Sequence, residues 1–499
     1  MAGPRPGWQP GTVSDWFLPE DERPWTAGNL VVPRVHGADY FARLLEVVGA
    51  TGAGDRIFFT DWRGDADERL AESGPTVAEL LLQAAGRGVE VRGLLWRSHS
   101  DRARLNAQEN QRLGTLINEA GGEVLLDERI RRGGSHHQKL FVVRRQGRPD
   151  LDVAFVGGID LCHGRRDDAA HAGDPQPPPL DDRYGETPPW HDAMLEIRGP
   201  AVSHVLDTFS ERWDDPTPLD HRNPYRALVH RRADMPRHPE PLPQRWEPPP
   251  DAGRHLVQVL RTYPRKRPPY PFAPEGERSI ARAYSRAFSR AKRLVYVEDQ
   301  YFWSDVVAQA LADALRDVPE LQVVAVVPRY PEEDSPPGGT TMWHGQRLAH
   351  DLLKAAGGDR FAMYDLRNPD GVPVYVHAKV CVVDDTWMTC GSDNLNMRSW
   401  THDSELTCAV VDPDGELPRA LRTALWSEHL GLPADDPRLV DLAGATALWA
   451  ERAGRADSRI DDHQIRAPGR AQRLWADPAY RVFVDPDGRP RHLRGTDEF

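Results

Sequence analysis

The sequence predicts an α/β protein of two sandwich lobes related by approximate twofold symmetry, with the functional site at the interface between them. Three observations lead to this prediction. The chain of 499 residues is too long for one ordinary hydrophobic core, since chains divide into domains beyond about 250–300 residues. Short apolar strands alternate with helical segments, which is typical of a buried sheet with helices on both faces. The same order of segments also occurs twice, as a tandem duplication would produce.

The repeated segments can be paired one by one along the two halves. Each half has a helical stretch, a strand, a second helix and strand, a further helix, and a third short strand. A strand–turn–strand unit that contains the pattern His-x-Lys follows in both halves. The paired strands, first half then second, are 56–62 and 294–301, 89–96 and 321–328, and 123–126 and 360–364.

A proline-rich stretch at 236–250 divides the chain nearly in half, and helix and central strand are both disfavoured within it. Similar stretches at 174–189 and 264–275 are predicted to be loops. The segment after residue 435 has no counterpart in the first half, and its sequence indicates no chemistry. We therefore predict an N-terminal lobe at 27–235, a C-terminal lobe at 251–435 and an appendage at 436–499.

Composition and charge narrow the class of protein. The 63 basic and 76 acidic side chains give a net charge of −13, which counts against nucleic acid as a partner. No run of about 18 apolar residues occurs, and the amino terminus lacks an apolar signal stretch, so we expect a cytoplasmic protein. We also expect it to be a monomer. Peripheral contact of the protein with a membrane is an alternative that the composition does not exclude. The cysteines have no CxxC or His/Cys ligand spacing and are expected to be reduced: Cys162, Cys381, Cys390 and Cys408.

The repeated His-x-Lys pattern is the candidate for chemistry. Alternate residues of a strand point to the same side, so His137 and Lys139 are predicted to face one site, as are His377 and Lys379. A lysine ammonium neutralises phosphoryl oxygens. Hydrogen-bond donors to the same group are expected after each unit, from Ser392 and Asn394 in the second lobe and at Gly158 in the first.

Two imidazoles that face each other across a pseudo-twofold axis can divide the labour of phosphodiester cleavage. A neutral imidazole attacks phosphorus and forms a phosphohistidine, while a protonated one gives its proton to the leaving alkoxide. Because the unperturbed pKa of histidine lies near 6.5, both forms are available at neutral pH. This chemistry needs no metal and no cofactor.

Each imidazole needs a carboxylate or carbonyl on its other ring nitrogen, which fixes the tautomer and stabilises imidazolium. Glu405 is predicted to serve His377, and Asp192 is the corresponding acid for His137. A surface carboxylate is the alternative for both. Asp160, just after the Gly-Gly turn, is expected to support the pocket, with an ordinary surface ion pair as the alternative.

At this point the residues resemble a known family. The double His-x-Lys unit, with Gly391-Ser392-x-Asn394 downstream and Glu298-Asp299-Gln300-Tyr301 upstream, is similar to the phospholipase D superfamily. The stretches VAFVGGIDL, PWHDAMLEIRGPAV and VEDQYFW look like eukaryote-type phospholipases D and their bacterial relatives. The resemblance spans about residues 30 to 430 and implies hydrolysis or transphosphatidylation of phospholipid headgroup esters. It also implies that His137 is the nucleophile and His377 the acid. A nuclease with the same chemistry is the alternative.

The first unit departs from the family pattern H-x-K-x4-D, which is complete only in the second. Arg144 stands where Asp384 has its counterpart, and it begins the segment RRQGRP, about six extra residues before the next strand. Because Asp384 comes after the run of valines, we interpret it as a structural residue that ties the hairpin to nearby backbone. Asp150 or Asp152 would substitute in the first lobe. If this aspartate instead orients Lys139, the site is impaired, and a noncatalytic lipid-binding relative is the alternative.

Overall fold

The computed structural model describes residues 14–98, 107–219, 238–242, 247–332, 338–412, 414–466, 469–496 and 498–499. The predicted lobe boundary at residue 235 lies outside these ranges. The strands are β1 (Trp25–Val35), β2 (Arg56–Asp61), β3 (Glu90–Trp96), β4 (Glu123–Asp127), β5 (Leu140–Arg144), β6 (Val153–Gly157), β7 (Trp190–His191), β8 (Ala193–Arg198), β9 (His255–Tyr263), β10 (Glu277–Arg278), β11 (Leu294–Glu298), β12 (Gln322–Val326), β13 (Phe361–Arg367), β14 (Pro373–Val376), β15 (Val380–Val383), β16 (Trp387–Gly391), β17 (Glu405–Val411) and β18 (Ile460–Asp462). The helices are α1 (Gly37–Gly49), α2 (Val77–Gly86), α3 (Ala107–Glu119), α4 (Ala201–Trp213), α5 (Ser279–Arg290), α6 (Asp305–Asp317), α7 (Gly338–Gly357), α8 (Met397–Thr401), α9 (Glu416–Leu430), α10 (Ala445–Arg452) and α11 (Arg470–Ala479).

The two halves form sheets with the same strand order. In the first sheet the order is β4-β3-β2-β5-β6-β8-β1, and in the second it is β13-β12-β11-β15-β16-β17-β9. The first three strands of each sheet are parallel and the rest are antiparallel. Strands β1 and β9 also pair with each other, with Trp25 opposite Gln258, and so join the sheets. The predicted α/β fold is confirmed.

Both faces of each sheet are buried, which explains the continuous apolar runs of the strands. Phe58 of β2 packs in the inner core, which the two sheets share with α4 and α9, while Phe59 packs in the outer core with α1, α2 and α3. In the second lobe Tyr296 of β11 faces the inner core, and Val295 faces the outer core with α5, α6 and α7. Because both faces of each sheet are covered, a functional site must form at the ends of the strands and in the connections between them.

The segment after residue 435 packs against the second lobe. Strand β18 pairs with β13, and Trp449 of α10 is buried in the inner core. Further along, the Gly488 amide donates to Thr401 Oγ1 at 2.8 Å, where a Cβ on residue 488 would lie 2.1 Å from the Thr401 carbonyl oxygen. The chain therefore passes closely over α8. None of the helices within the described ranges is long and apolar enough to span a bilayer.

The hairpin ends show how the two lobes differ at Arg144. Asp384 accepts hydrogen bonds from the amides of Lys292, Arg293 and Leu294 at 2.7–2.8 Å. In the first lobe Asp152 accepts from the Arg145 amide at 2.7 Å and lies 2.6 Å from Arg144 Nε.

Two other carboxylates lie near the end of the first-lobe hairpin. Asp55, at the start of β2, accepts from the Gln146 amide at 2.8 Å, a contact that the sequence did not predict. Asp150 only pairs with Arg148 at the surface. Arg144 ends β5, whereas Lys139 precedes the opposite end of that strand, so the departure from the family pattern lies away from the lysine.

Candidate active site

The two His-x-Lys triplets lie in the connections immediately before β5 and β15, rather than inside strands as predicted. Each triplet is held by the other lobe. The His137 amide donates to the Ser404 carbonyl at 2.9 Å, and the His377 amide donates to the His191 carbonyl at 2.8 Å. The lobes therefore contact each other through the backbone of both triplets.

The carboxylates that orient the imidazoles are exchanged relative to the prediction. His137 Nδ1 lies 2.9 Å from Glu405 Oε2, and His377 Nδ1 lies 2.6 Å from Asp192 Oδ2. The predicted pairing of Glu405 with His377 and of Asp192 with His137 is therefore wrong. The reason is the parallel pairing of short segments across the lobes: Val376 is opposite His191, which places the next residues, His377 and Asp192, side by side.

The first lobe follows the same rule. A parallel bridge between His136 and Ser404 places His137 beside Glu405. Because both Nδ1 atoms face carboxylates, Nε2 is the ring nitrogen that each histidine has left for chemistry.

Gly158 and Ser392 occupy equivalent places behind the two acids. The Ser392 hydroxyl donates to Glu405 Oε2 at 2.5 Å and accepts from the Leu406 amide at 3.0 Å. At residue 158, a Cβ would lie 2.1 Å from Asp192 Oδ1. The structure thus places both residues behind the acids, where they position the carboxylates, and not in the cavity wall as predicted.

The two lysines are buried next to the histidines. Lys139 Nζ donates to the His137 carbonyl at 3.2 Å and pairs with Asp160 Oδ1 at 3.3 Å. Asp160 also accepts from the Trp62 amide at 3.3 Å, so it ties the lysine to the end of β2. Lys379 Nζ donates to the His377 carbonyl and to Gln300 Oε1, the latter at 3.2 Å.

A cavity of about 370 Å³ contains both imidazoles in its wall. Its polar wall includes Asn394, whose buried Oδ1 has no hydrogen-bond partner within the described ranges. Large aromatic side chains make up much of the rest, and Phe483 and Val484 from the appendage complete it. The aromatic residues of the wall are Trp62, Trp96, Trp190, Tyr301 and Trp303.

Burial and neighbouring cations set the protonation of the site. Burial, Lys139 and Lys379 together lower the pKa of His137 well below its usual value. Burial, Lys379 and Arg165 do the same for the pKa of His377. Burial also raises the pKa of Glu405 to about 8 and lowers that of Lys379 to about 8. Both histidine pKa shifts favour the neutral form of each imidazole.

Two residues of the site, Gln300 and Arg165, were not assigned a role from the sequence. Gln300 binds Lys379, and its place after a strand end in Glu-Asp-Gln-Tyr was the available signal. Arg165 lines the cavity with its guanidinium 3.8 Å from the Trp190 ring centroid. Arg398, also in the wall, pairs with Asp403 at 2.7 Å. Arg398 was expected from the sequence to support the pocket, with an ordinary surface ion pair as the alternative, whereas Arg165 was not singled out.

Comparisons with known proteins identify relatives of this chain. Residues 63–240 match the family model "Phospholipase D", and residues 284–425 match "Cardiolipin synthase, PLD-like domain". Phospholipase D beta 2 of Arabidopsis thaliana is 25% identical over 591 residues, which cover 89% of this chain and 62% of that protein. Phospholipase D alpha 1 of Nicotiana tabacum is 26% identical over 557 residues, covering 85% and 67%. The chain thus spans about two thirds of these relatives.

A solved structure has the same fold. The phosphatidylserine synthase of Haemophilus influenzae Rd KW20 superposes with a TM-score of 0.56 at 15% identity, covering 91% of this chain and 94% of that one.

Proposed function

Because the chain belongs to the phospholipase D superfamily, we propose that it cleaves the headgroup ester of a phospholipid through a phosphohistidine. One observation carries this proposal. Two imidazoles line one cavity, and each is oriented by a carboxylate on Nδ1 and accompanied by a buried lysine. That arrangement supplies a nucleophile, a proton donor and two cations for a phosphodiester anion.

In the proposed reaction His137 Nε2 attacks phosphorus and forms a P–N bond. The bond between phosphorus and the headgroup oxygen breaks, and His377 gives that oxygen its proton. Neutral His377 then takes a proton from water or an alcohol, whose oxygen attacks phosphorus and releases His137. Lys139 and Lys379 neutralise the phosphoryl oxygens during both steps.

The acids support this division of roles. Burial raises the pKa of Glu405 to about 8, so this acid carries less negative charge at neutral pH and favours an uncharged His137 whose Nδ1–H donates to Oε2. Burial raises the pKa of Asp192 too, but Lys379 and the Ala193 amide oppose the rise. His377, at 2.6 Å from Asp192, is therefore the better site for the proton once the substrate anion enters.

The walls and rim favour a lipid over a nucleic acid. Aromatic rings surround the imidazoles, and the acidic Asp403 and Glu332 also lie in the wall. At the rim, Phe483 is 76% exposed although it lines the cavity, and neighbouring Val482 is 61% exposed. We infer that these two side chains enter the surface of a phospholipid bilayer while the cavity receives the headgroup.

A headgroup-release assay tests the activity. Purified full-length protein is incubated with a panel of phospholipid vesicles, with and without a primary alcohol, and with single- and double-stranded DNA. We expect headgroup release and, with alcohol, a phosphatidyl alcohol, while both DNA forms remain intact. Lipid binding without release, or cleavage of DNA alone, would contradict the proposal.

Trapping the covalent adduct tests the nucleophile. Acid quenching and mass spectrometry should detect a phosphorylated peptide containing residue 137 in the wild type and none in His137→Ala. His377→Ala should form the adduct with an activated leaving group but not with an alkyl headgroup. His350→Gln, outside the cavity, is the control and should behave as the wild type. An adduct that persists in His137→Ala would exclude this nucleophile.

A further inference from the structure

A second group of histidines lies behind the catalytic cavity and takes no part in the proposed reaction. We call His36, His171, His191 and Glu428 the histidine cluster. One nitrogen of each ring and one carboxylate oxygen lie within 4.8 Å of one another. His36 Nε2 is 2.9 Å from Glu428 Oε2, and His171 Nε2 is 3.0 Å from Glu428 Oε1. All three rings are buried, with exposed fractions of 6% or less.

A carboxylate lies behind one ring of the cluster, as is usual for histidines that bind metals. His191 Nε2 is held by Glu298 Oε2 at 2.8 Å, and Glu298 in turn binds His429 Nε2 at 2.8 Å and the Tyr296 hydroxyl at 2.6 Å. The other nitrogen of His191, Nδ1, is buried and has no hydrogen-bond partner within the described ranges. A buried nitrogen with a lone pair and no donor is available to a cation.

The backbone of the cluster is strained. His36 has a φ of 69° and His171 a φ of 54°, the left-handed region that residues other than glycine rarely adopt. Such strain persists where the surroundings fix a side chain in a required place, and it concentrates at functional sites. Here it brings two rings from distant loops onto the same carboxylate.

Charge also favours a cation. Three buried or nearly buried carboxylates, Glu428, Glu298 and Asp167, surround the rings, and Asp167 Oδ2 lies 3.6 Å from His171 Nδ1. The guanidinium of Arg459 lies 3.8 Å from Glu428 and offsets one of these charges. With neutral rings, two negative charges are left over, and one divalent cation would balance them.

We propose that the histidine cluster binds one Zn²⁺ ion through His36, His171, His191 and Glu428. Three imidazoles and one carboxylate suit zinc better than calcium or magnesium, which prefer oxygen ligands. Edges of a zinc tetrahedron with bonds near 2.0–2.1 Å measure about 3.3 Å. The two ring–carboxylate contacts, at 2.9 and 3.0 Å, would open slightly, while the wider separations, which reach at most 4.8 Å, would close as the rings move onto the ion. Four protein ligands leave no open position, which is typical of a structural site.

The position of His191 gives this site a consequence for the catalytic cavity. Its carbonyl accepts from the amides of His377 and Ala378 at 2.8 and 3.1 Å, and Asp192 is the next residue. A metal bound to the His191 ring would fix the segment that orients His377. The zinc ion would thus act as a positioning group at a distance from the phosphorus atom.

Metal content of the full chain tests the proposal. Protein expressed in zinc-supplemented medium, with any affinity tag removed, is analysed by inductively coupled plasma mass spectrometry after gel filtration. We expect one zinc ion per chain in the wild type. In His171→Gln and in Glu428→Gln the zinc content per chain should fall at least tenfold. His463→Gln is the matched control, since this buried ring also binds a carboxylate, Asp365, but lies outside the cluster.

Cobalt substitution keeps the test independent of variants that fail to fold. Wild-type protein stripped with a chelator should unfold at a lower temperature and should regain its stability with Zn²⁺. With Co²⁺ it should develop the intense visible absorption of tetrahedral coordination. The proposal would be overturned if the metal-free wild type neither bound Zn²⁺ nor changed its unfolding temperature when Zn²⁺ was added. In that case the cluster would consist of histidinium–carboxylate ion pairs.

Discussion

Gly158 differs from its counterpart Ser392 because the acids in front of them differ in length. Glu405 reaches His137 and leaves room for a serine hydroxyl that holds it, whereas the shorter Asp192 lies directly against Gly158. A side chain at residue 158 would occupy the place of Asp192 Oδ1. Glycine at residue 158 therefore allows Asp192 to orient His377, in addition to its role in the turn.

Gly158→Ala should reduce turnover by displacing Asp192 from His377. Since general acid catalysis contributes about 10²–10⁴-fold, we expect kcat on an alkyl headgroup ester to fall about a hundredfold or more. The loss should be smaller with an activated leaving group, which needs no proton. Steady-state kinetics on the two substrates measures this difference. Gly52→Ala, where a Cβ meets nothing within 4 Å, is the control.

The pH dependence of the reaction should report on Lys379. Burial lowers the pKa of this lysine to about 8, so its ammonium is present below that pH and is lost above it. We expect kcat/KM to fall on the alkaline side with an apparent pKa of about 8. Because the pKa of Glu405 is also raised to about 8, the assignment needs Glu405→Gln. The alkaline limb should persist in this variant, and its disappearance would assign the limb to Glu405.

At the scale of elements, the hairpins that follow the two triplets are closed by different contacts. Asp384 holds the amides before β11, while Asp152 and Asp55 hold the turn after Arg144. All of these contacts lie at the far ends of the strands from the lysines. We infer that the missing aspartate of the first unit changes how the hairpin is anchored and leaves Lys139 in place.

Asp384→Asn should therefore lower stability more than activity. Hydrogen bonds to a charged acceptor contribute about 1.5–3 kcal/mol each to stability, and this variant weakens a set of them. We expect the free energy of unfolding in urea to fall by about 1–3 kcal/mol, with kcat within twofold of wild type. Arg144→Met, which breaks the pair with Asp152, should behave in the same way. A large loss of kcat in either folded variant would show that the hairpin end positions its lysine.

Local patterns were sufficient to place most of the central strands. The predicted strand at 321–328 is observed as Gln322–Val326, and that at 123–126 as Glu123–Asp127. Such strands are buried on both faces, so each is an apolar run that the sequence displays directly. The repeat of these runs also predicted that the two halves fold alike.

Contacts between the lobes could not be predicted in this way. The two-residue strand β7 is too short to show a strand periodicity, yet its pairing with β14 decides which acid faces His377. The histidine cluster likewise joins His36 to Glu428, which are 392 positions apart. Ligand spacing along the chain could not reveal it, because its members come from four separate segments. Register between distant segments is a property of the folded molecule.

At the scale of the whole molecule, the appendage joins the second lobe to the rim of the cavity. The Arg398 amide donates to Asp485 Oδ1 at 2.8 Å, and the Tyr480 hydroxyl lies 2.6 Å from the Trp303 carbonyl oxygen. These contacts fix the segment that carries Val482 and Phe483. Two apolar side chains are thus held in an exposed position beside the site. Exposing apolar surface to water is unfavourable, and a lipid surface that covers these side chains would remove that cost.

Phe483→Asp with Val482→Asp should separate vesicle binding from chemistry. Burying an apolar side chain of this size contributes about 1.5–3 kcal/mol, so each replacement should weaken vesicle binding about ten- to hundredfold. Sedimentation with vesicles measures binding, and headgroup release from vesicles should fall in proportion. Release from a short-chain phospholipid below its micellar concentration should change by less than threefold in Val482→Asp, because Val482 does not line the cavity. Val440→Asp is the control, because Val440 is 55% exposed on the same appendage but does not line the cavity. Equal losses on vesicles and on monomeric substrate would place these residues in the chemistry of the cavity and not in membrane contact.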